Sequence, residues 1–147
     1  MRRMRGVYMV EFAIVSSVLM ITLFACIELG RTTYTLAALN EGTRRAARLA
    51  AVCPLNDPAI ASAVNFMGVY GFNTATNVKI TYLDANGNAL AGTPPLSSVY
   101  YVKVNVTGYT IALAIPVLNL SITVPPYAVT LPAESLGLSG AGVSTAC

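Results

Sequence analysis

The sequence predicts an α+β protein: one long N-terminal helix, a short second helix and a small antiparallel sheet. Three observations carry this reading. Residues 12–27 form a run of sixteen with no charged side chain, bounded by Glu11 and Glu28. From Gly30 to Val52 the chain remains rich in Ala, Leu, Arg and Glu, and the first proline is Pro54, so helix propensity is sustained past the apolar run. Later in the chain the apolar period falls to two, as in half-buried strands.

Composition narrows the function classes. Only 10% of the 147 residues are charged, against about 25% in an ordinary soluble domain, which points to apolar surface covered by a membrane or a partner. Ten of the fifteen charged side chains lie in residues 1–48, and beyond them only Asp57, Lys79, Asp84, Lys103 and Glu134 remain. The positive charge of the chain, +3 in all, therefore resides in the first 48 residues, the remainder having two basic against three acidic side chains and no basic face for nucleic acid. The chain has no His, which removes the commonest general base and metal ligand. The plentiful Ser and Thr have only isolated carboxylates and two lysines as candidate bases. The expectation is a protein that is not an enzyme and holds no cofactor.

The first element opens with the basic leader Met1-Arg2-Arg3-Met4-Arg5-Gly6. The apolar span of residues 7–29 would extend ~34 Å as a helix, enough to cross a hydrocarbon core of roughly 30 Å. Three arginines precede it and only Arg31 follows closely. The positive-inside rule thus places the N-terminus in the cytoplasm and residues 31–147 outside. Three readings fit: a plain signal anchor; a lipoprotein signal ending at Leu23-Phe24-Ala25-Cys26; and a prepilin-type leader cut between Gly6 and Val7. Glu11 separates them. A carboxylate is costly within an apolar run, and an ordinary signal gains nothing from it. After a cut at Gly6, the new amine of Val7 and the Glu11 carboxylate lie one helical turn apart, in the first turn, where the helix dipole favours an acid. In a bundle, Glu11 can instead neutralise the amine of a neighbouring chain.

The string Arg5-Gly6-Val7-Tyr8-Met9-Val10-Glu11-Phe12-Ala13 resembles the start of TadE-like pseudopilins of the tight-adherence (Tad) pilus system. The likeness continues through Ile27-Glu28-Leu29-Gly30-Arg31, Leu39-Asn40 and Ala46-Ala47-Arg48. It is specific over residues 5–53 and architectural beyond them. The resemblance implies a minor pilin-like subunit matured by a prepilin peptidase. Such a subunit works with other pilin-like subunits and an assembly platform at the bacterial inner membrane.

The remaining elements follow in order. One helix over residues 7–52 is expected, with Leu36, Leu39, Leu49 and alanines on one side and Arg44, Arg45 and Arg48 on the other. Glu41 can pair with Arg44 or Arg45. The arginines read as a solvated face, or as contacts for lipid headgroups or an acidic partner. Asp57 as N-cap and Pro58 at the first helical position start a second helix, expected over residues 59–70 and ended by Gly71. Val78, Ile80 and Tyr82 alternate with Lys79, Thr81 and Leu83 as a strand, and Asp84-Ala85-Asn86-Gly87-Asn88 supplies hairpin-turn chemistry. In residues 100–109, Val102, Val104 and Val106 alternate with Lys103, Asn105 and Thr107. Residues 120–124 and 127–131 complete about four strands. The uncharged stretch 110–118 is too short to span a bilayer, and reads as a core strand with a loop or as a loop meeting a partner or the membrane surface. Residues 137–142 read as a flexible glycine-rich linker. The triplets Asn105-Val106-Thr107 and Asn119-Leu120-Ser121 match the glycosylation pattern at chance frequency.

Of the three cysteines, Cys26 falls in the apolar span and reads as a small buried hydrophobe. Cys53 and Cys147 fall on the oxidising side of the expected topology, where a disulfide is favoured over a metal site. The organisation is thus a leader (1–6), a long helix (7–52, transmembrane over about 7–29) and an extracytoplasmic α+β module (53–147). Two functions are consistent with it. One is a structural pseudopilin that assembles or anchors a Tad-type pilus through helix packing around Glu11. The other is a membrane-tethered periplasmic module that binds a ligand or an envelope partner.

Overall fold

The computed structural model describes residues 4–114, 119–139 and 147. Helix α1 (Met4–Val52) leads the chain and is about 74 Å long at 1.5 Å per residue. Its first half stands clear of everything else: residues 6–27 are exposed, apart from half-buried Ser16. The hydroxyls of Ser16, Ser17 and Thr22 donate to the carbonyls of Phe12, Ala13 and Val18 one turn earlier, so these polar groups are satisfied within the helix.

From Glu28 onward the helix is covered on one side. Ala38, Leu39, Ala46, Ala47, Ala50 and Ala51 are buried, while Arg44, Arg45 and Arg48 remain exposed. The Arg45 Nε donates to Glu41 Oε1 at 3.1 Å, and its guanidinium lies 3.9 Å from the centroid of the Phe66 ring. Small side chains on the covered face allow close packing. A Cβ built on Gly42 would stand 2.0 Å from the carbonyl oxygen of Val64, so glycine alone admits the next helix at that point.

That helix, α2 (Pro58–Val64), starts as the sequence indicates: Pro58 occupies the first turn and the Asp57 carboxylate accepts from the Ala59 N–H. It stops earlier than expected, at Asn65 rather than near Gly71. The Asn65 side chain takes the Val69 N–H at 2.6 Å, and Gly68 then turns through φ +65°, so the backbone leaves the helix through a turn. A further turn of helix, α3 (Thr74–Asn77), was not expected from the sequence; the Asn73 side chain caps it by accepting from Ala75 N–H.

The main sheet has three antiparallel strands in the order β1–β2–β5, with β1 spanning Val78–Leu83, β2 Tyr101–Val106 and β5 Tyr127–Pro132. Ile80 faces Val104 across β1 and β2, and Val104 faces Val129 across β2 and β5. Val102, Val104 and Val106 of the central strand are buried beneath α1, and Lys103 and Asn105 point the other way, as the alternation predicts. The Asp84–Asn88 turn forms, with the Asp84 carboxylate accepting from the Asn88 and Asn86 N–H groups. The Asn88 bonds, first that from its backbone, hold the Asp84 carboxyl below the usual value. The turn does not make the expected hairpin between long strands. Only Ala89 bridges back to Leu83, and the chain then detours through a 3-10 turn, Leu96–Ser98, before β2 pairs with β1.

The second correction is a second sheet. The strand expected over residues 100–109 ends at Val106, and Gly108 at φ +72° redirects the chain into β3 (Thr110–Ala112). This strand pairs with β4 (Ser121–Thr123) as a separate hairpin. Its expected apolar loop, residues 115–118, lies outside the described residues.

The chain then returns from β5 to the end of α1, where carbonyls lack intrahelical partners. Glu134 N–H donates to Ala51 O at 2.9 Å, Gly137 N–H to Val52 O at 2.6 Å, and the Ser135 hydroxyl to Val52 O at 3.1 Å. Leu136 is buried there. Residue 137 is therefore a packed helix cap and not linker; residues 140–142 of the expected linker lie outside the described residues.

Gly42→Ala should destabilise the protein by about 1–3 kcal/mol through overpacking, outweighing its gain in helix propensity. Gly30→Ala, with nothing within 4 Å of the new Cβ, should be neutral or stabilising by up to about 1 kcal/mol. Denaturant titration of the two variants checks this, and the reverse order would rule out the close approach of α2 to Gly42.

Candidate functional site

The residues singled out from the sequence fall at the two ends of α1. Gly6, Val7, Val10, Glu11 and Ile14 line one shallow groove near the N-terminus, so the structure brings Gly6, Val7 and Glu11 onto one face. Val7 and Ile14 are exposed. Among the described residues, no side chain pairs with Glu11. A carboxylate among mostly apolar side chains of a helix surface is costly in lipid. Residues 1–3 of the leader lie outside the described residues. Cys26 is a free cysteine on the exposed helix surface, not buried within this molecule.

At the far end of α1, Cys53 and Cys147 form a disulfide with Cα atoms 5.8 Å apart. Cys53 is fully buried. With the Glu134, Ser135 and Gly137 contacts, this bond joins the C-terminal segment to the end of the helix. About 62 Å of helix, at 1.5 Å per residue, separates Glu11 from Val52. The two sets of residues therefore act independently within one molecule. Among the described residues, no group of three or more His, Cys, Asp or Glu side chains comes together.

A third constellation escaped the sequence reading. Glu28 is only 8% exposed. It accepts from the Arg31 guanidinium at 2.9 Å and from the Ala114 N–H at 3.2 Å. The same Arg31 Nη2 donates to the Ala112 carbonyl. One ion pair thus fastens the end of the β3–β4 hairpin to α1, at the first charged residue after the apolar run. The i,i+3 spacing of Glu28 and Arg31 was legible; their backbone partners, 81 and 86 residues away, were not. Beside this clamp, Arg31, Tyr34, Thr35, Tyr70 and Tyr109 border an open cleft. The Tyr109 hydroxyl donates to Tyr70 O at 2.6 Å, and burial pushes the Tyr109 phenol above its usual value.

The helix that carries these groups decides the family likeness. Residues 6–48 match the family model described as TadE-like protein. Over these residues the helix is similar to TadE-like proteins. The TadE-like match covers both Glu11 and the Glu28–Arg31 pair and stops short of Cys53. No curated protein and no solved structure matches the chain. The TadE-like helix is long and apolar enough to cross a membrane, and none of its most apolar window is buried against the rest of the molecule.

Glu28→Ala should release the hairpin without unfolding the main sheet. Hydrogen exchange should show the Leu113 amide, which donates to Leu120 O, losing about 1–3 kcal/mol of protection. The Val104 amide should be unchanged; equal loss at both would mean that Glu28 supports the whole fold. Peptide mapping without reductant should find Cys53 linked to Cys147. Cys147→Ser should lower stability by up to about 4.7 kcal/mol, the chain-entropy figure for a loop of about 100 residues, and two alkylatable thiols in native protein would refute the bond.

Proposed function

We propose that this chain is a minor pilin-like subunit that takes part in assembling or anchoring a Tad-type pilus. In this reading residues 7–29 cross the bacterial inner membrane with the N-terminus cytoplasmic. The module of residues 53–147 lies on the extracytoplasmic side, where the Cys53–Cys147 bond is oxidised. A prepilin peptidase cuts between Gly6 and Val7, removing Arg2, Arg3 and Arg5. Gly6 suits the cut because it lacks a side chain where a peptidase must approach the backbone.

The observation that carries the proposal is Glu11, without a partner among the described residues, four residues after Val7 on an exposed apolar helix that is similar to TadE-like proteins over residues 6–48. Cleavage supplies the missing countercharge as the amine of Val7, on the same chain or on a neighbour. Pairing between chains gives the carboxylate a second use, because it favours a helix register in which each Glu11 meets an amine. The partners are then other pilin-like subunits and the assembly platform, with lipid around the span. The role is structural: helix packing holds the subunit in place and no bond is made or broken by it.

The test is the mature N-terminus. Intact mass and N-terminal sequencing of the protein from its native membrane should give a chain that begins at Val7 with Cys26 unmodified. A chain beginning at Met1 or at a lipidated Cys26 would overturn the proposal. Glu11→Ala should leave membrane insertion and the disulfide-bonded module intact while reducing co-purification of other pilin-like subunits by about tenfold, equivalent to about 1.4 kcal/mol of association energy. Unchanged co-purification would remove Glu11 from assembly.

A further inference from the structure

We propose that the end of the globular module nearest the apolar helix run lies in the lipid headgroup layer, with the β3–β4 hairpin and Tyr70 in contact with the bilayer. The proposal rests on the reading that residues 7–29 span the membrane, and adds a second membrane contact made by a different part of the chain.

Height along α1 is the first argument. With Leu29 at the hydrocarbon boundary, Arg31 stands about 3 Å and Tyr34 about 8 Å beyond it at 1.5 Å per residue. The headgroup region on each side of a bilayer is about 5–8 Å thick. Whatever is fastened to Glu28 and Arg31 shares that height. The hairpin is fastened there through Ala114 N–H on Glu28 and Ala112 O on Arg31. The turn after α2 is held just above, by Tyr34 Oη donating to Met67 O at 3.4 Å and Tyr109 Oη donating to Tyr70 O.

Chemistry is the second. Residues 28–35, 66–71, 109–114 and 119–124 carry no charge apart from Glu28 and Arg31, which pair with each other. The acidic residues of the module lie toward the other end. Glu134 bonds Ala51, Asp57 begins α2, and Asp84 follows Tyr82, whose oxygen accepts from Asn56 N–H. The uncharged end nevertheless exposes large apolar groups: Leu120, Ile122, Met67, Tyr34 and, at 93%, Tyr70. Tyr at the level of the headgroups is the side chain that favours that position, with its ring toward the acyl chains and its hydroxyl in the polar layer. Arg31, 41% exposed at its side chain, offers a cation to lipid phosphate at the same height.

The bilayer is favoured over a protein partner because the clamp makes this surface continuous with the bare apolar surface of α1. The two then meet one apolar medium at one boundary.

The test uses the full chain with Cys26→Ala, reconstituted in phosphatidylethanolamine–phosphatidylglycerol vesicles and spin-labelled at one introduced cysteine. Collision with oxygen and with an aqueous nickel chelate reports depth. Val18→Cys marks the hydrocarbon core and Asn86→Cys the aqueous phase. Leu120→Cys, Ile122→Cys and Tyr70→Cys should fall between these, with nickel accessibility about threefold or more below that of Asn86→Cys, as for groups at the headgroup level. If Val18→Cys reads as core but the three labels are as accessible to nickel as Asn86→Cys, the proposal fails while the membrane span stands. If Val18→Cys reads as aqueous, the span fails and the proposal with it. Low accessibility to both agents, with spectral broadening relieved by dilution with unlabelled protein, would assign the surface to a second copy of the chain and overturn the proposal.

Discussion

Close packing against the alanine face of α1 is the constraint on which the rest of the molecule depends. Beside Leu39, the covered face is made largely of small side chains, with Ala38, Ala46, Ala47, Ala50 and Ala51 buried. Much of the apolar volume comes from the other side, from Ile60 and Val64 of α2 and Val102, Val104 and Val106 of β2. Gly42 extends the same logic to direct backbone contact with Val64. A helix of this kind can emerge from an apolar medium and enter a protein core without changing its course, since its small residues suit both environments.

The charge distribution follows from that shared helix. The lower half of α1 is exposed and apolar, the covered half carries its arginines outward, and the boundary between them is marked by a buried ion pair. A buried carboxylate has to be paired and hydrogen-bonded to be tolerated, and Glu28 meets both conditions through Arg31 and Ala114. The same contacts bring the β3–β4 hairpin down to the boundary. The hairpin is thus placed by the ion pair together with buried Ile111 and Val124, whereas the three-stranded sheet is placed by apolar packing.

Local signals were legible in the sequence and long-range ones were not. The uncharged run and the proline-free stretch to Val52 mark α1; Asp57-Pro58 marks the start of α2; the alternation through Val102, Val104 and Val106 marks β2 and its inward face. The end of α2 was misplaced because the stop comes from the Asn65 side chain taking the Val69 amide, which competes invisibly with a favourable helical pattern. The division into two sheets was missed because it turns on Gly108, on a turn that returns only Ala89 to β1, and on the Glu28–Arg31 clamp. At the candidate site, Glu11 stood out because an acid is conspicuous among apolar neighbours. Glu28 did not, because nothing in residues 112–114 advertises that their backbone completes an ion pair.

The disulfide at the end of α1 has a mechanical consequence. Cys53 is the first residue after α1, and its bond to Cys147 spans 94 residues of sequence. The whole module is thereby a closed covalent ring hung from the helix at one point. Pulling Cys147 away from α1 loads the Cys53–Cys147 bond before it loads the hydrogen bonds of the sheet. Such a ring limits how far the module can extend even where apolar packing alone would yield.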